Sequence, residues 1–548
     1  MSASIWTPGS TVSLDSESLT VLGASGGSSL IGFIQSGIGA VLRTVQSKLR
    51  ADPSPEDYGC VGDGAVDDAT NFNKALAAHK YVRGTPGATY LLGSHLIPQS
   101  GQWLDMRGCN VKIKDNSNAA LFRIPDGVND VTVEGGDWDG NKTNQPAGAV
   151  GFTNATAGTV LRVRLLNLTV HDCYSHNIGW NGAITKYVIE TGIISYNSGA
   201  SGIGSVSGVQ LAAITACISY DNATSNFGGS GIHEYVAYAG CVGENPGTAD
   251  NFTGYGAGTK FVTGASLIGK GGSNNGMHIS GDHCAFAGIA LDSPAAYGFV
   301  SRVETGGGTV GNGFVASAIT VKDAGDSSFW IDNHNAFAMS AICGINPTDH
   351  NVYINTANTN GYVCGTFRAA GQSNVRISDA TDIVIDGVGV DAAVGGGAVL
   401  TNTTGAIISG RYTGNATPFS ETGTSNDNLY SALSATGNTS DTPSFVGASS
   451  VVDESLTGGT AAVTAAATIT IPKNKKYVTL SGGTAVDTIN PWRAQDGPIT
   501  IRSSGNTSLT EAGNLKLVSN PLNLTDLDCV ILVPDGADWY QAAPISAN

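Results

Sequence analysis

Residues 57–76 read DYGCVGDGAVDDATNFNKAL, and no other stretch of the chain constrains the fold as strongly. Its glycines permit tight turns with positive φ; they are Gly59, Gly62 and Gly64. Asp67 or Asp68 can cap the N-terminus of the helix that follows. The apolar stripe of that helix consists of Phe72, Ala75, Leu76 and His79. The stretch therefore predicts an acidic, turn-rich loop followed by one short amphipathic helix.

A long array of short strands follows this helix. Residues 158–420 contain repeated pieces in which an apolar strand is followed by an Asn or Gly corner and then by Gly-Ile-x-x or a close variant. Because side chains alternate along a strand, one apolar residue of each piece points inward and its successor points outward. The predicted inward column is Ile178, Ile203, Ile232, Phe252 and Met277. The predicted outward column is Gly179, Gly204, His233, Thr253 and His278.

The composition agrees with a solenoid of such coils. Gly accounts for 75 of 548 residues, and charged residues make up 13% of the chain, against about 25% in typical domains. Each coil of a β-solenoid, about 20–25 residues long, must turn several corners, and residues that tolerate left-handed backbone make those corners. We therefore expect an all-β chain whose main body, residues 51–420, is a parallel β-helix.

The loop and the array together resemble the start of the pectate-lyase-like right-handed β-helix of bacteriophage tailspike depolymerases, which opens with D-[FY]-G-A-x-G-D-G-x-x-D-D. In this sequence Cys60 replaces the usual Ala, and Ala65 and Val66 fill the variable pair. The resemblance implies a right-handed parallel β-helix that binds and degrades a bacterial surface polysaccharide. An ordinary Asx-rich loop with a capped helix would explain the 57–76 segment alone, but the motif and the repeat array support each other.

The N-terminal segment, residues 1–50, resembles the particle-attachment segment of tailspikes, which often ends in a run like GxGAVxRTVQxKLRE. Residues 36–50 read SGIGAVLRTVQSKLR, and their apolar side chains recur at helical spacing, namely Val41, Leu42, Val45 and Leu49. This pattern predicts an amphipathic helix of roughly three turns. Because so short a helix is marginal alone, its apolar face packs either against symmetry mates or against the β-helix of its own chain.

The C-terminal part of the chain predicts a change of architecture. Residues 421–440 are polar and predict a linker. Residues 441–548 predict a separate antiparallel β domain that serves trimerisation or glycan binding. Its predicted strands span 467–471, 476–480, 498–502 and 529–533. The run GNLKL…DCVILVPDGADWYQ resembles small C-terminal β domains of tailspikes.

Charge and composition exclude several classes of partner. A formal net charge of −17 argues against nucleic acid and against anionic lipid surfaces. No stretch approaches about 18 uninterrupted apolar residues, which predicts no membrane insertion, and the N-terminus shows no signal-peptide pattern. The nine cysteines are scattered without a Cys-x-x-Cys pair, so most are expected to be buried thiols. We expect a chain that is made and folded in the host cytoplasm.

Three acids mark the densest point of the array and are the predicted catalytic residues: Glu234, Asp250 and Asp282. Hydrolysis of a glycosidic bond needs a proton donor and a second carboxylate, about 5–5.5 Å apart for retention and about 6.5–9.5 Å apart for inversion. Because neighbouring coils lie about 4.8 Å apart, acids on adjacent coils approach the first separation. Glu234 and Asp282, two coils apart, approach the second. Each acid could instead cap a corner, and Glu234 is the least natural corner residue of the three.

Aromatic rings and imidazoles of the array are the predicted substrate-binding residues, because such groups stack on sugars and tune carboxylic acids. They are Trp180, His233, Tyr255, His278 and His283. The resemblance is tightest here. Tailspikes often carry Asp-Asn-[IF]-Thr-x-Tyr, which residues 250–255 match, followed by His-Gly-[IM]-His-[IV]-x-Gly, which residues 275–281 match with Asn275 and Ser280 as departures.

Other polar clusters could line a groove or lie at a subunit boundary, and they are as easily coil corners. They are Asp172/His176, Asp323/Asp326/Trp330/Asp332/His334 and Asp349/His350. No P-loop, EF-hand, dinucleotide-binding or nucleophile-elbow pattern occurs. The sequence therefore predicts no cofactor and supports no metal site.

The favoured function is that of a tailspike in the phage virion that depolymerises capsule, exopolysaccharide or O-antigen by hydrolysis. A lyase is the alternative within this class, but β-elimination on a uronate needs cations, and residues 165–320 hold few. A non-catalytic receptor-binding fibre and a secreted pectinase-type enzyme are further alternatives. The resemblance also implies a parallel homotrimer that attaches to the phage tail or baseplate through residues before about 50.

Overall fold

The protein is an all-β parallel β-helix, as predicted. A computed structural model describes residues 16–148, 150–155, 159–180, 185–205, 209–230, 233–302, 311–356, 358–391, 393–434, 438–439, 446, 450–452, 460–471, 477–490, 498–526, 528–535 and 537–542. The chain forms two compact units, residues 1–263 and residues 264–548. No helix in the described ranges combines the length and the hydrophobicity of a membrane span.

The first unit begins with two short helices, α1 (Ser16–Gly23) and α2 (Val45–Leu49), and a 3-10 turn at Gly27–Ser29. Between them, β1 (Gly32–Phe33) and β2 (Arg43–Thr44) pair antiparallel. The predicted helix over 36–50 is therefore wrong before residue 45, because pairing with β1 holds Arg43 and Thr44 extended. The Thr44 hydroxyl then caps α2 by accepting the Ser47 N–H at 3.0 Å.

The glycine-rich segment folds as its sequence predicts. After a 3-10 turn at Pro55–Tyr58, three glycines adopt positive φ: Gly59 at 93°, Gly62 at 66° and Gly64 at 73°. Strand β3 (Asp63–Asp67) leads into helix α3 (Ala69–Ala78). The predicted apolar stripe is confirmed for Phe72, Ala75 and Leu76, which α3 buries, but the helix ends before His79.

The two aspartates before α3, Asp67 and Asp68, make different contacts. Asp68 occupies the N-cap position but makes no cap bond; its buried carboxylate accepts the N–H groups of Val61 at 2.7 Å and Gly62 at 3.1 Å. Asp67 Oδ1 accepts the Ala69 N–H at 3.2 Å and the Gly93 N–H at 3.0 Å. One aspartate therefore closes the loop, and the other joins the helix to the first coil.

Strands of successive coils pair in parallel through the rest of the first unit. They are β4 (Tyr81–Arg83), β5 (Thr89–Leu92), β6 (Trp103–Asp105), β7 (Asn110–Ile113), β8 (Phe122–Ile124), β9 (Asn129–Glu134), β10 (Asp137–Asp139), β11 (Phe152–Asn154), β12 (Val160–Leu166), β13 (Thr169–His171), β14 (Ile178–Trp180), β15 (Thr185–Thr191), β16 (Ile194–Tyr196), β17 (Ile203–Ser205), β18 (Val209–Thr215), β19 (Ile218–Tyr220), β20 (Phe227–Ser230), β21 (His233–Ala239), β22 (Val242–Glu244) and β23 (Phe252–Lys260). A 3-10 turn at Lys142–Asn144 follows β10.

The inward column of this unit is confirmed except at one coil. Ile178, Ile203, Phe227 and Phe252 stand in register and are buried. Phe227 thus takes the place predicted for Ile232, which lies outside the described residues. The cause is coil length, because 178, 203, 227 and 252 are separated by 24 or 25 residues, a spacing that 232 breaks.

The outward column changes with it. Gly179 pairs with Gly204, and Gly228 pairs with Thr253. His233 instead pairs with Val209 on β18, a different strand of the coil. The prediction that His233 shares a column with Thr253 is therefore wrong.

Coil corners use left-handed backbone, as predicted. Asn167, Asn197 and Asp221 have φ of 50°, 53° and 53°. Inside the corners, side-chain amides form a ladder from coil to coil: Asn226 Nδ2 donates to Asn251 Oδ1 at 2.8 Å. Because buried amides need partners, this ladder holds the coils in register.

The thiols follow the sequence prediction. The cysteines are thiols rather than disulfides, and six of them are buried, namely Cys60, Cys109, Cys173, Cys217, Cys241 and Cys284.

The second unit continues with parallel coils. Their strands are β24 (Thr263–Lys270, which begins one residue before the unit), β25 (Met277–Asp282), β26 (Cys284–Asp292), β27 (Phe299–Arg302), β28 (Gly311–Lys322), β29 (Phe329–Asp332), β30 (His334–Ile345), β31 (Val352–Asn355), β32 (Thr359–Arg368), β33 (Val375–Ser378), β34 (Thr381–Asp391), β35 (Gly396–Thr401), β36 (Ile407–Thr413), β37 (Thr417–Thr422), β38 (Leu429–Ser434) and β39 (Val451–Val452). Strand β38 pairs in parallel with β36, and Tyr430 on it is fully buried. The predicted linker at 421–440 therefore contributes a strand to the solenoid, because its Leu429-Tyr430 pair completes the core of a coil.

The C-terminal strands form a mixed six-stranded sheet and two two-stranded sheets with their own apolar core, which includes Leu480, Ile501 and Trp539. They are β40 (Thr460–Thr464), β41 (Thr468–Thr470), β42 (Tyr477–Ser481), β43 (Thr488–Asn490), β44 (Ile499–Ser504), β45 (Thr507–Leu509), β46 (Leu515–Lys516), β47 (Leu522–Leu524), β48 (Cys529–Asp535) and β49 (Asp538–Gln541). Antiparallel pairing holds for β44, β48 and β49, but β40, β42 and β44 pair in parallel. The antiparallel prediction is corrected there, because long connections return each strand in the same direction.

Candidate functional site

One side of five consecutive coils in the second unit carries a column of large side chains. Strands β25, β27, β29, β31 and β33 pair in parallel and in register. Their inward residues are fully buried: Met277, Phe299, Phe329, Val352 and Val375. The next residue of each strand points to the opposite side, and this column is His278, Val300, Trp330, Tyr353 and Arg376. His278 and Val300 are themselves buried, whereas the other three are half-buried. We call the outward side of these five strands the Trp330 face.

A second, polar column lies beside the first. Arg302, Asp332 and Asn355 stand in register on β27, β29 and β31. Each follows a first-column residue by two positions, so both columns share one face of the sheet. Asp282 is the last residue of β25. The Trp330 face therefore combines aromatic rings, guanidinium groups and carboxylates.

Aromatic and cationic groups pack against one another across this face. The rings of Tyr297 and Trp330 lie 4.5 Å apart, and the guanidinium of Arg302 lies 5.5 Å from the Trp330 ring. One coil further on, Arg376 lies 5.7 Å from the Tyr353 ring. Contacts between cations and rings fix the planes of both groups. The rings are thus held as half-buried platforms.

Several polar atoms of the Trp330 face are buried without a protein partner. They are Trp330 Nε1, Asp332 Oδ1 and Arg376 Nε. A buried polar group left unsatisfied costs about 1–3 kcal/mol, so such groups are normally satisfied by water or by a ligand. Two of these atoms on one coil and a third two coils away mark a surface that accepts hydrogen-bonding groups from outside the chain.

Asp332 has the environment of a proton donor. Burial raises the pKa of its carboxyl, while the positive charge of Arg302 opposes that rise. A carboxylic acid whose pKa is raised by an apolar site keeps its proton nearer to neutral pH, which is the property that a general acid needs.

Neighbouring groups are also perturbed by burial. Burial and a hydrogen bond with Asp326 raise the pKa of the Tyr297 hydroxyl to about 12. Burial lowers the pKa of His334 to about 4, against the opposing effects of Ser301 and the Asp282 charge. His334 Nε2 lies 2.9 Å from Ser301 Oγ. The charge of Asp282 therefore acts on His334, the first residue of β30.

The structure brings two predicted site residues to the Trp330 face. His278 opens its first column, with its Nε2 3.4 Å from Ser280 Oγ, and Asp282 ends the same strand. His283 follows at an exposed corner with φ of 53°.

Glu234 and Asp250 lie in the first unit. Glu234 is half-buried on β21, where it accepts a hydrogen bond from Gln210 Nε2 at 2.8 Å and pairs with Lys260 Nζ at 2.9 Å. Asp250 is only 1% exposed and lies two residues before the start of β23. The side chains of His233 and Tyr255 lie outside the described residues.

The prediction for Trp180 is wrong. It was predicted to bind substrate, but it is 2% exposed and its indole N–H donates to Glu190 Oε1 at 2.7 Å inside the solenoid. The reason is strand alternation, since Trp180 follows the inward Ile178 by two residues and therefore points to the same side.

A different cluster in the first unit has metal-like spacing. The ligand atoms of Asp139, His171 and Asp172 lie within 4.8 Å of one another. Both imidazole nitrogens of His171 already contact carboxylates, Nδ1 with Asp172 at 2.6 Å and Nε2 with Asp137 at 3.1 Å. Although burial lowers it, these hydrogen bonds raise the pKa of His171 to about 9. A protonated imidazole is not a metal ligand, so this cluster fits an ion pair rather than a metal.

Tyr353 and Arg376 were missed as functional residues, although the sequence contains their signal. Residues 328–332, 351–355 and 374–378 read SFWID, NVYIN and NVRIS, a repeat in which an apolar residue, a large outward residue and Ile recur. The first residues of successive repeats are 23 positions apart. Extending the outward column beyond His278 would have reached them.

No protein-family model and no curated protein sequence matches the chain. Solved structures of similar fold include a tailspike protein of E. coli bacteriophage HK620 in complex with a pentasaccharide, with 11% identity, a TM-score of 0.51, and coverage of 80% of this chain and 86% of that one. Gene product 12 of bacteriophage phi29 gives 11% identity and a TM-score of 0.45 over 91% and 77% of the two chains. Tailspike protein 3 of bacteriophage CBA120 gives 12% identity and a TM-score of 0.32 over 97% and 76%. The chain therefore shares the β-solenoid fold of the HK620 tailspike.

Proposed function

We propose that the protein is a phage tailspike that binds a bacterial surface polysaccharide on the Trp330 face and cleaves it by hydrolysis. The observation that carries the proposal is the set of buried, unpartnered polar atoms beside aromatic platforms, above all Trp330 Nε1 and Asp332 Oδ1. Coils that repeat along a solenoid suit a polymer, because each coil can contact a successive part of it. The tailspike fold supports the same reading by analogy.

Asp332 is the proposed proton donor. It gives its proton to the glycosidic oxygen as the bond from that oxygen to the anomeric carbon breaks. Asp282 is the proposed second carboxylate, which accepts a proton from the water that attacks the anomeric carbon. Their strands are two coils apart, and Asp282 stands two residues beyond the position in register with Asp332. Strand geometry therefore separates the two backbones by roughly 12 Å, a distance that the two side chains must narrow to reach the inverting separation.

The test is the appearance of new reducing ends when the purified protein is incubated with a panel of bacterial surface polysaccharides. Asp332→Asn should lower the rate by at least about 100-fold, because loss of general acid catalysis costs this much or more. Asp379→Asn is the matched control, since Asp379 is an exposed corner with φ of 52° that Asn tolerates equally well. Equal loss in both variants, or no loss in Asp332→Asn, would remove Asp332 from the mechanism.

The acids of the first unit supply the competing assignment. Glu234→Gln and Asp250→Asn test it in the same assay. A large loss of turnover in either, with Asp332→Asn active, would move the catalytic site to that unit.

A lyase is the second candidate, and one observation favours it. Arg302 and Arg376 stand on the same face, and β-elimination requires cations that neutralise a uronate. A lyase leaves an unsaturated sugar at each cleavage, so a rise in ultraviolet absorbance in step with the reducing ends would replace hydrolysis by elimination. Binding without new reducing ends on any polymer would identify a non-catalytic receptor-binding fibre.

Virion location follows from the same proposal. The N-terminal segment, residues 1–50, is the proposed attachment to the phage tail or baseplate, and the chain is proposed to assemble as a homotrimer in the host cytoplasm.

A further inference from the structure

Arg376 differs from the other cations near carboxylates in this chain. Arg107 lies 2.6 Å from an Asp105 oxygen, and Lys260 lies 2.9 Å from Glu234. Within the part of the chain that the structure describes, no carboxylate lies within 4 Å of Arg376, although the net charge is −17. A half-buried guanidinium without a counter-ion can still pair with an acidic group from outside the chain.

The surroundings of Arg376 hold it in one orientation. Its guanidinium lies 5.7 Å from the Tyr353 ring, and its Nε is buried without a hydrogen-bond partner. Burial lowers the pKa of His350. The negative charge of Asp349 opposes this shift, and the positive charge of Arg376 adds to it. Asp349 is therefore near, but not paired with the guanidinium. The fork of N–H donors is left available to an acceptor from outside the chain.

A planar guanidinium recognises a carboxylate through two parallel hydrogen bonds. Arg376 covers one face of the Tyr353 ring, and the exposed part of this half-buried ring is an apolar surface of the kind that packs against a sugar. The two groups together match a sugar that carries its carboxylate at one edge of the ring. A neutral sugar would leave the charge of the guanidinium without a counter-ion, which costs binding energy.

We propose that the Tyr353–Arg376 pair is a subsite for an acidic sugar, with the sugar ring on Tyr353 and its carboxylate on Arg376. This inference rests on the proposed polysaccharide function and names the class of repeat unit that the Trp330 face selects. It holds whether the bond is broken by hydrolysis or by elimination.

The test measures binding of D-glucuronate and of methyl β-D-glucoside to the full chain by saturation-transfer NMR titration. We expect glucuronate to bind at least about tenfold more tightly than the neutral glucoside, since a hydrogen bond between charged groups is stronger than a neutral one by a margin of this order. Arg376→Gln should remove that preference, while Arg376→Lys, which keeps the charge but not the fork, should retain part of it. Arg368→Gln is the matched control, because Arg368 is an exposed arginine at the end of β32, the strand that precedes β33 in the chain.

Three results would overturn the subsite: equal binding of the two sugars, no detectable binding of either, or an unchanged preference in Arg376→Gln. Tighter binding of glucose 6-phosphate than of glucuronate would overturn the carboxylate assignment. The reducing-end assay separates this failure from failure of the proposed function. Cleavage of a neutral polysaccharide with no glucuronate preference refutes only the subsite, whereas glucuronate binding without any cleavage refutes only the depolymerase.

Discussion

Asp332 and Arg302 are a pair in which one side chain sets the proton affinity of the other. Burial raises the pKa of Asp332 and the Arg302 charge lowers it. A proton donor works only while protonated, so its pKa sets the alkaline limit of activity. The balance between burial and one guanidinium therefore decides up to which pH the proposed enzyme works.

Arg302→Gln tests this balance. Removing the positive charge should raise the pKa of Asp332 further and move the alkaline limb of kcat/KM to higher pH, while KM rises as a contact to Trp330 is lost. The pH–rate profile on a cleaved polysaccharide measures both, with Arg368→Gln as the variant expected to leave the limb in place. A limb that stays put, or moves to lower pH, would show that Asp332 is not the titrating donor.

Glu190 is a buried acid whose effect on the free energy of unfolding can be measured through its dependence on pH. It lies inside the first unit beside a small apolar cavity of about 20 Å³, with one oxygen bonded to Trp180 and the other, Oε2, without a partner. Burial raises the pKa of Glu190 to about 7 from 4.5, against the opposing Trp180 hydrogen bond. Because the folded state holds the proton more tightly, this group's contribution to stability is full below about pH 4.5 and is lost as pH rises through about 7.

Glu190→Gln should remove that pH dependence, since the amide oxygen can still accept the Trp180 N–H and carries no charge. We expect the variant to be more stable than the parent at pH 8, by at most about 3 kcal/mol, and similar to it at pH 4.5. Denaturant unfolding at the two pH values provides the measurement. If the variant's advantage is the same at both, Glu190 is not the group that titrates.

At the scale of single elements, three rings on consecutive coils form an outer stack. His171 on β13 lies 4.6 Å from Tyr196 on β16, with planes 2° apart, and Tyr196 lies 5.1 Å from Tyr220 on β19. The same positions are in register along the sheet. Parallel strands without tight turns gain little locally, so side-chain ladders of this kind tie neighbouring coils together.

The contribution of this stack to the free energy of unfolding should depend on pH, because His171 titrates. Its pKa is raised to about 9 from 6.5, so its contribution to stability is full below about pH 6.5 and is lost as pH rises through about 9. We expect His171→Gln to lower the free energy of unfolding by roughly 1–3 kcal/mol at pH 6 and by much less at pH 10. His283→Asn, a change at an exposed left-handed corner, is the control. An equal loss at both pH values would mean that packing, not charge, carries the effect.

Elements also show how far the sequence could predict the structure. The loop and helix at 57–76 were predictable because glycine and aspartate chemistry acts over a few residues. The inward column was predictable from alternation, but it failed at Ile232, where a coil corner shifts the count and Phe227 takes the position. Helix 36–50 failed because pairing with β1 overrode local periodicity.

The candidate site was harder to predict than the coils. Trp330 and Asp332 were recognised as a cluster, and alternation places them on one face. Their burial depends on turn residues such as Tyr297 and Asp326, which precede the strands by a few positions and have no periodic signature. Unpartnered buried atoms arise only from that packing, so sequence periodicity could not rank this cluster above Glu234 and Asp250.

At the scale of the whole molecule, the N-terminal segment exposes more apolar surface than a lone chain should tolerate. Its exposed apolar side chains are Leu19, Val21, Leu30, Ile31, Ile34, Ile38, Val41, Leu42 and Leu49. Such a concentration marks an interaction surface. The short helix α2 cannot cover it, since it buries no residue.

We predict that copies of the chain cover this surface in a homotrimer, in which three equivalent segments pack about a threefold axis. Light scattering at micromolar concentration should give three times the chain mass of 55.6 kDa, and a mass of 55.6 kDa would refute the trimer. Leu42→Asp should weaken the assembly, because a charge buried at the axis would meet two others of the same sign. Asp379→Asn should leave the mass unchanged. If Leu42→Asp remains trimeric at high dilution, the association lies elsewhere in the chain, and the segment before residue 50 is then left to the phage particle alone.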